Sequence, residues 1–251
     1  MAYTTINKST DYFNTKTWTG TGSSNALTGL GHQSDFVWIK QRGGTTDHHL
    51  YDAVRGTTKA LPSNDTAAET TKATGLTAFG SDGFTLGADA GVNGSSNTYA
   101  GWSWKANGAG SANTDGSINT TATSVNTTAG FSISKYTGTG SNATVGHGLG
   151  KAPKFIIIKK TSGTEQWVIG ESASGFTKNL HFLTAALNTS SSVWNDTAPT
   201  STVFSVGTNS GTNSSGETYI AYCWSEIIGF SKFGDYTGNG SADGTFVYTG
   251  F

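Results

Sequence analysis

Few residues in this chain have types and spacing that support chemistry, and each has a plainer reading beside it. His48 and His49, flanked by Asp47 and Asp52, suggest a metal. Adjacent side chains on a strand point to opposite faces, however, so the two imidazoles would not chelate one ion together. The calcium-loop pattern is absent, and Asp82-Gly, Asp115-Gly and Asp243-Gly read as turns. Gly138-Thr-Gly140 and Gly146-His-Gly-Leu-Gly150 hint at phosphate loops. Strands rather than helices follow them and no Gly-Lys-Ser/Thr occurs, so they too read as turns. Cys223, the single cysteine, has no disulfide partner and reads as a core thiol. The chain has no Gly-x-Ser-x-Gly elbow and no His-Glu-x-x-His. A glycosidase needs two carboxylates about 5–9.5 Å apart, and no strand carries them at i and i+2. The sequence therefore predicts no enzyme, no metal and no cofactor.

Aromatic rings offer a different chemistry, stacking on the apolar faces of sugars. Trp102, Trp104 and Trp224 occupy strand positions shared by the two halves of the chain and read as core. Trp167, Trp194, His48 and His49 fall in segments that differ between the halves. Loop residues of that kind are where function can diverge. These four are the candidate carbohydrate-binding residues.

Composition narrows the class. Of 251 residues 34% are apolar, and 35 glycines bring the total near the ordinary globular ~45–50%. Charged residues are 12% with a net charge of -1, which argues against a nucleic-acid binder and against coiled coils. No apolar tract reaches the ~18 residues of a membrane span. The N-terminus lacks the basic and apolar regions of a secretory signal, so sequons such as Asn119-Thr-Thr are not read as glycosylated. A surface-type composition rich in Ser, Thr, Asn and Gly, without an export signal, suits a protein made in a cytoplasm and released by lysis.

Self-similarity is the most informative feature. Gly29-Leu-Gly31 returns as Gly148-Leu-Gly150, and Phe36-Val-Trp-Ile-Lys40 as Phe155-Ile-Ile-Ile-Lys159. Leu61 matches Leu180, Phe84-Thr-Leu-Gly87 matches Phe204-Ser-Val-Gly207, Asn93 matches Asn213, and Tyr99 to Trp104 matches Tyr219 to Trp224, all at nearly one spacing. Trp18-Thr-Gly-Thr-Gly-Ser23 recurs as Tyr136-Thr-Gly-Thr-Gly-Ser141 and again as Tyr236-Thr-Gly-Asn-Gly-Ser241. The units predicted are residues 1–108, a linker or crossover strand over 109–129, residues 130–229, and a partial third repeat over 230–251.

The apolar runs are short, β-branched and aromatic, and bounded by turn residues, so an all-β fold is expected. Strands are predicted over 36–40, 84–86, 99–104, 131–136, 155–159, 202–206 and 219–224, and a short helix over 64–73 with Asn64 or Asp65 near its N-cap. The architecture expected is two tandem antiparallel β-sandwiches. Phe36–Ile39 and Phe155–Ile158 do not alternate, which predicts that both faces of each strand are covered by the sister domain, a loop or another subunit. A lone strand is marginal, so the tail from Phe230 is expected to complete a sheet on a neighbouring domain or chain.

These residues carry a resemblance. Asp11-Tyr-Phe-Asn-Thr-Lys, Asp35-Phe-Val-Trp-Ile-Lys-Gln-Arg42, Leu50-Tyr-Asp-Ala-Val-Arg-Gly56, Ser81-Asp-Gly-Phe-Thr-Leu-Gly87, Val145-Gly-His-Gly-Leu-Gly150, Trp194-Asn-Asp-Thr-Ala-Pro199 and Phe230-Ser-Lys-Phe span nearly the whole chain. The chain resembles marine bacteriophage virion proteins with repeated concanavalin A-like (LamG-type) jelly-roll modules. The resemblance implies a non-enzymatic structural protein: a tail fibre, appendage or capsid-decorating subunit located in the virion. Its partners would be copies of itself and other virion proteins, with contact to host-surface glycans, and neither nucleic acid nor membrane insertion. The alternatives are a dedicated lectin-like module and a polysaccharide depolymerase.

Overall fold

Short β-branched and aromatic runs become strands throughout the computed structural model, which describes residues 4–250. The outermost residues of the expected first unit and of the expected tail, 1–3 and 251, lie outside the described residues. The first half holds β1 (Phe13–Thr19), β2 (Asn25–Leu27), β3 (Phe36–Gln41), β4 (His49–Asp52), β5 (Lys59–Pro62), β6 (Thr70–Thr71), β7 (Leu76–Gly80), β8 (Gly83–Leu86) and β9 (Thr98–Trp104). The second holds β10 (Ala122–Asn126), β11 (Phe131–Thr137), β12 (Ala143–Gly146), β13 (Phe155–Lys160), β14 (Val168–Glu171), β15 (Lys178–His181), β16 (Thr184–Thr189), β17 (Val203–Val206) and β18 (Thr218–Trp224). The described residues also form a 3-10 turn at Ser9–Asp11 and three one-turn α-helices: α1 (Ala90–Asn93), α2 (Ser191–Trp194) and α3 (Ser210–Asn213). All seven predicted strands are present. The predicted helix is not. Asp65 turns its carboxylate onto the Ala67 amide in a local turn, Asn64 bonds the His48 amide and Asp47, and Thr70–Thr71 becomes the edge strand β6. Side-chain bonding of this kind offers the backbone an alternative to a helix.

The strands form four antiparallel sheets, ordered β1-β9-β3-β4-β5-β6, β2-β8-β7, β10-β11-β18-β13-β14-β15-β16 and β12-β17. Strand alternation distributes their side chains among three cores. Val37, Ile39 and Tyr99 of the six-stranded sheet meet Leu27, Phe84 and Leu86 of the three-stranded one. Ile156, Ile158 and Ala221 of the seven-stranded sheet meet Val145, Phe204 and Val206 of the two-stranded one. The other faces of the two large sheets pack on each other, Phe36, Leu50 and Leu61 against Phe131, Ile157, Ile220 and Tyr222. The non-alternating strands are thereby explained: Ile156 and Ile158 are both 0% exposed inside their own sandwich, and Ile157 is covered by the other half.

The two halves repeat their pairing in detail. Phe13 opposes Trp104, which opposes Phe36 on its other side; Phe131 opposes Trp224, which opposes Phe155. Trp18 stacks on Tyr99 at 5.6 Å, and Tyr136 on Tyr219 at 5.3 Å. Buried Asn93 donates to the carbonyls of Ser23 and Gly87; buried Asn213 donates to those of Ser141 and Gly207. Only one of the halves adds a strand outside its β1-type edge. β10 pairs with β11, while β1 pairs with β9 alone.

Polar groups clamp the central contact. Arg55 bonds Asp52 through Nε, and Tyr222 of the other half donates its hydroxyl to the same Asp52 oxygen at 2.7 Å. Burial opposes the charge on Arg55, but Asp52, Tyr222 and Glu69 around it more than offset this, so its pKa is raised and it stays ionised. Lys159, also fully buried, crosses the same contact to the carbonyl of Thr66 at 3.0 Å and bonds that of Glu165 at 2.9 Å. Among the described residues no helix is long and apolar enough to cross a membrane.

Two outcomes follow from this clamp. Arg55→Met strands the Asp52 carboxylate in the interior and is expected to cost about 3–5 kcal/mol in urea unfolding, whereas Tyr222→Phe costs about 1–2 kcal/mol. Desolvation lowers the Lys159 ammonium from its ordinary 10.5 to about 8. Between those two values the unfolded chain holds this proton and the folded chain has released it. Stability from this group therefore rises as pH climbs through that window, and Lys159→Met removes this part of the slope when unfolding midpoints are compared across it.

Candidate functional site

The central contact does not close at one rim. Residues of both large sheets line a cleft of about 670 Å³ there. Trp104 of β9 and Trp224 of β18 meet at its base, ring centroids 6.2 Å apart and nearly perpendicular. Phe13 and Trp38 extend the wall on the side of the first half, Phe155 and Ile157 on that of the second. Phe13 lies 4.8 Å from Trp104 and Phe155 lies 5.7 Å from Trp224, so the rings form one continuous aromatic surface. The chain after β18 roofs it. Phe233 stacks on Phe155 at 5.7 Å and 6°, and Phe230 sets its edge on Tyr12. The hydrogen-bonding side chains among the lining residues, apart from the aromatic rings, are Ser9, Ser231 and Lys232. Such a lining is suited to ring contact and burial, and it contains no carboxylate, imidazole or thiol.

The four residues singled out from the sequence lie elsewhere. Trp167 lies in the loop just before β14 and Trp194 at the end of α2, and both are 0% exposed. Trp167 is buried in the central contact and donates its indole N–H to the Pro62 carbonyl of the other half at 2.8 Å. Trp194 fills the second sandwich, edge-on to Phe176 and against the face of Gly170, where a Cβ would meet the indole at 2.7 Å. Burial leaves neither ring a face for a sugar. His48 is half-buried beside Trp38, and its Nδ1 accepts the Trp38 indole N–H at 2.9 Å. His49 is buried on the opposite side, over Gly91 of α1. Burial lowers the pKa of both imidazoles and favours their neutral forms. The structure brings none of the four into the cleft, and the two imidazoles point apart.

Other candidate groups are engaged inside the fold. Gly29 and Gly31 adopt φ of 79° and 84°, and both turn their amides onto the Asp82 carboxylate, at 2.9 and 2.7 Å. Those amides hold the Asp82 carboxyl below its usual range. In the glycine runs Gly138–Gly140 and Gly146–Gly150, the amides of Gly138, Gly140 and His147 bond the carbonyls of Glu217, Asn213 and Thr202, and those of Thr139 and Leu149 bond the side chains of Asn213 and His147, so these amides are engaged within the fold. Cys223 lies in the second sandwich core, where burial pushes its thiol well up, away from nucleophilic reactivity. Among the described residues no group of three or more His, Cys, Asp or Glu side chains is placed to hold a metal ion.

A family profile matches residues 8–251 and is described as a domain of unknown function, DUF7483. The chain belongs to the DUF7483 family. No curated protein matches it. No solved structure does. In this DUF7483 chain Trp104 and Trp224, which the sequence pattern assigns to core, line the cleft. Both are only half-buried. Their recurrence was the available signal: two indoles at equivalent register positions, each on the face of its sheet that turns away from its own sandwich core.

Phe233 is the lid of the cleft more than a support of the fold. Phe233→Ser is expected to raise the fluorescence of an apolar dye added to the folded protein while lowering stability by less than about 2 kcal/mol. A loss of several kcal/mol with no gain in dye signal would make Phe233 scaffold.

Proposed function

We propose that this chain is a non-enzymatic structural protein of a bacteriophage particle, a tail fibre, appendage or capsid-decorating subunit, built from two tandem concanavalin A-like jelly-roll modules that arose by duplication. The duplicated ring pairs, the duplicated asparagine bonds and the matched strand registers favour the duplication. The modules correspond to residues 1–108 and 130–229, joined through 109–129, with 230–251 the start of a further copy. The virion assignment rests on the motif resemblance that spans the chain.

The observation that carries a docking role rather than catalysis is the aromatic cleft. Its walls are hydrocarbon and indole, suited to bury an apolar segment of a neighbouring subunit. A sugar would gain ring stacking there but would leave most of its hydroxyls without partners, since the non-aromatic hydrogen-bonding side chains are two serines and one lysine. The chain therefore serves assembly first, with copies of itself and other particle proteins as partners.

Mass spectrometry of particles purified from a lysate containing this chain tests the reading. The expected result is the chain co-purifying with the capsid or tail proteins in many copies per particle. Recovery only from the soluble, particle-free fraction overturns it. Titration with soluble glycans should leave the tryptophan fluorescence unchanged; a saturable shift abolished by Trp104→Ala would favour the lectin alternative.

A further inference from the structure

We propose that the outer edge of β1, together with the adjoining aromatic cleft, accepts an extended strand from the tail of a second copy of this chain, with Thr245-Phe-Val-Tyr248 as the donated segment. This rests on the assembly reading above and names the partner. On the acceptor side, the Lys105 amide bonds the Tyr12 carbonyl, and the amides of Asp35 and Arg42 bond the carbonyls of Trp104 and Thr98. This parity turns the backbone groups of Phe13, Thr15, Thr17 and Thr19 away from β9, to an edge with no strand beside it. The Thr15 amide is capped by the side chain of Asn14; Thr17 is exposed. The equivalent edge, on β11, is already filled by the five-residue strand β10. The fold thus exhibits an occupant for one of two matching positions and leaves the other bare. Main-chain pairing at such an edge supplies affinity, and alternate side chains supply specificity.

The donor's chemistry matches. Every residue from 234 to 249 is exposed, and among the described residues the tail pairs as a strand with none of the sheets; the Thr245 hydroxyl donates to the Thr237 carbonyl within it. Phe246 and Tyr248 are 88% and 74% exposed, and the Lys232 ammonium sits over the Tyr248 ring. Two apart on an extended segment, they fall on one face. Phe13 projects from β1 into the cleft, so a strand laid beside β1 with Phe246 and Tyr248 on that face continues the aromatic wall. Phe230 and Phe233 establish what the cleft accepts, since these tail residues already lie in it. The contact joins two different surfaces, so it is heterologous and propagates head to tail.

Sedimentation of the full chain over a concentration series tests this. The expected result is a weight-average mass that rises with concentration. Thr17→Pro removes one outward N–H at an edge where proline is tolerated, and the double variant F246S/Y248S leaves the sandwiches untouched. Each should weaken association about tenfold or more while keeping the native circular dichroism. Mixed together, the two variants should associate one to one, since one retains the tail and the other the edge. A chain that stays monomeric at about 100 µM, association that survives either variant, or failure of the mixture overturns the proposal. Such an outcome leaves the particle assignment standing, because that is read separately by mass spectrometry of purified particles.

Discussion

The contact between the outward faces of the two large sheets is the constraint on which the rest of the molecule depends. A sandwich normally wets its outer faces, and each half here would instead present Phe36, Leu50 and Leu61, or Ile157, Ile220 and Tyr222, to water. An apolar area of that kind drives association. Covalent connection makes that association intramolecular, and the result is a four-layer stack with three cores. Hydrophobic contact alone sets no register between two flat faces. The Asp52–Arg55–Tyr222 group and the bond from Lys159 to Thr66 supply it, because each buried polar atom in them is satisfied only at one relative position of the sheets. An ion pair in such a place contributes less to net stability than to choosing one arrangement, since removing its charges from water costs much of what their attraction returns.

The same contact explains the cleft. Twisted sheets packed face to face match in the middle and diverge at the corners. The middle is filled by Phe36 and Tyr222, 4.5 Å apart. At the cleft, the indoles of Trp104 and Trp224 leave part of the space between the halves open. The site is therefore what packing leaves open: ring faces placed by strands, rigid because their backbones lie in sheets, and apolar because they belong to the core. Its roof comes from the segment after β18, which departs from the sheet just where the cleft needs covering.

Much of this was legible in the residues, and what was not has definite causes. Phe155-Ile-Ile-Ile158 announced a strand buried on both faces, and the seven strands with the strongest β-branched and aromatic runs were all readable. Strands such as β5 and β16 were not, because Lys59-Ala-Leu-Pro62 and Thr184–Thr189 carry no alternation and owe their state to a neighbour's edge. The site was missed through a reasonable inference that fails in this architecture. That inference expects scaffold at positions shared by both halves and function at positions that differ. Trp167 and Trp194 differ because the two halves solve packing problems differently, one at the central contact and one around Gly170. Trp104 and Trp224 are shared, yet they face out of their own sandwiches, and only the apposition of two halves converts them into walls of one cleft.

That inversion bears on how binding can arise in a chain of similar units. A single sandwich with one outward indole has an exposed ring and nothing more. On the proposed duplication, two such units turned face to face would place two equivalent indoles 6.2 Å apart with a gap beside them, and a surface suited to binding would arise without any new residue. What then distinguishes the halves is not the shared positions but the connections between them. Residues 109–129 are long enough to carry β10 onto the edge of β11. The segment after β18 is immediate: Phe230 follows Trp224 by one turn and falls into the cleft instead of running on to an edge. Connection length thus decides which edges are covered and which rings are roofed, while the strands themselves stay alike. The asymmetry of the molecule, one edge filled and one bare, follows from its connections.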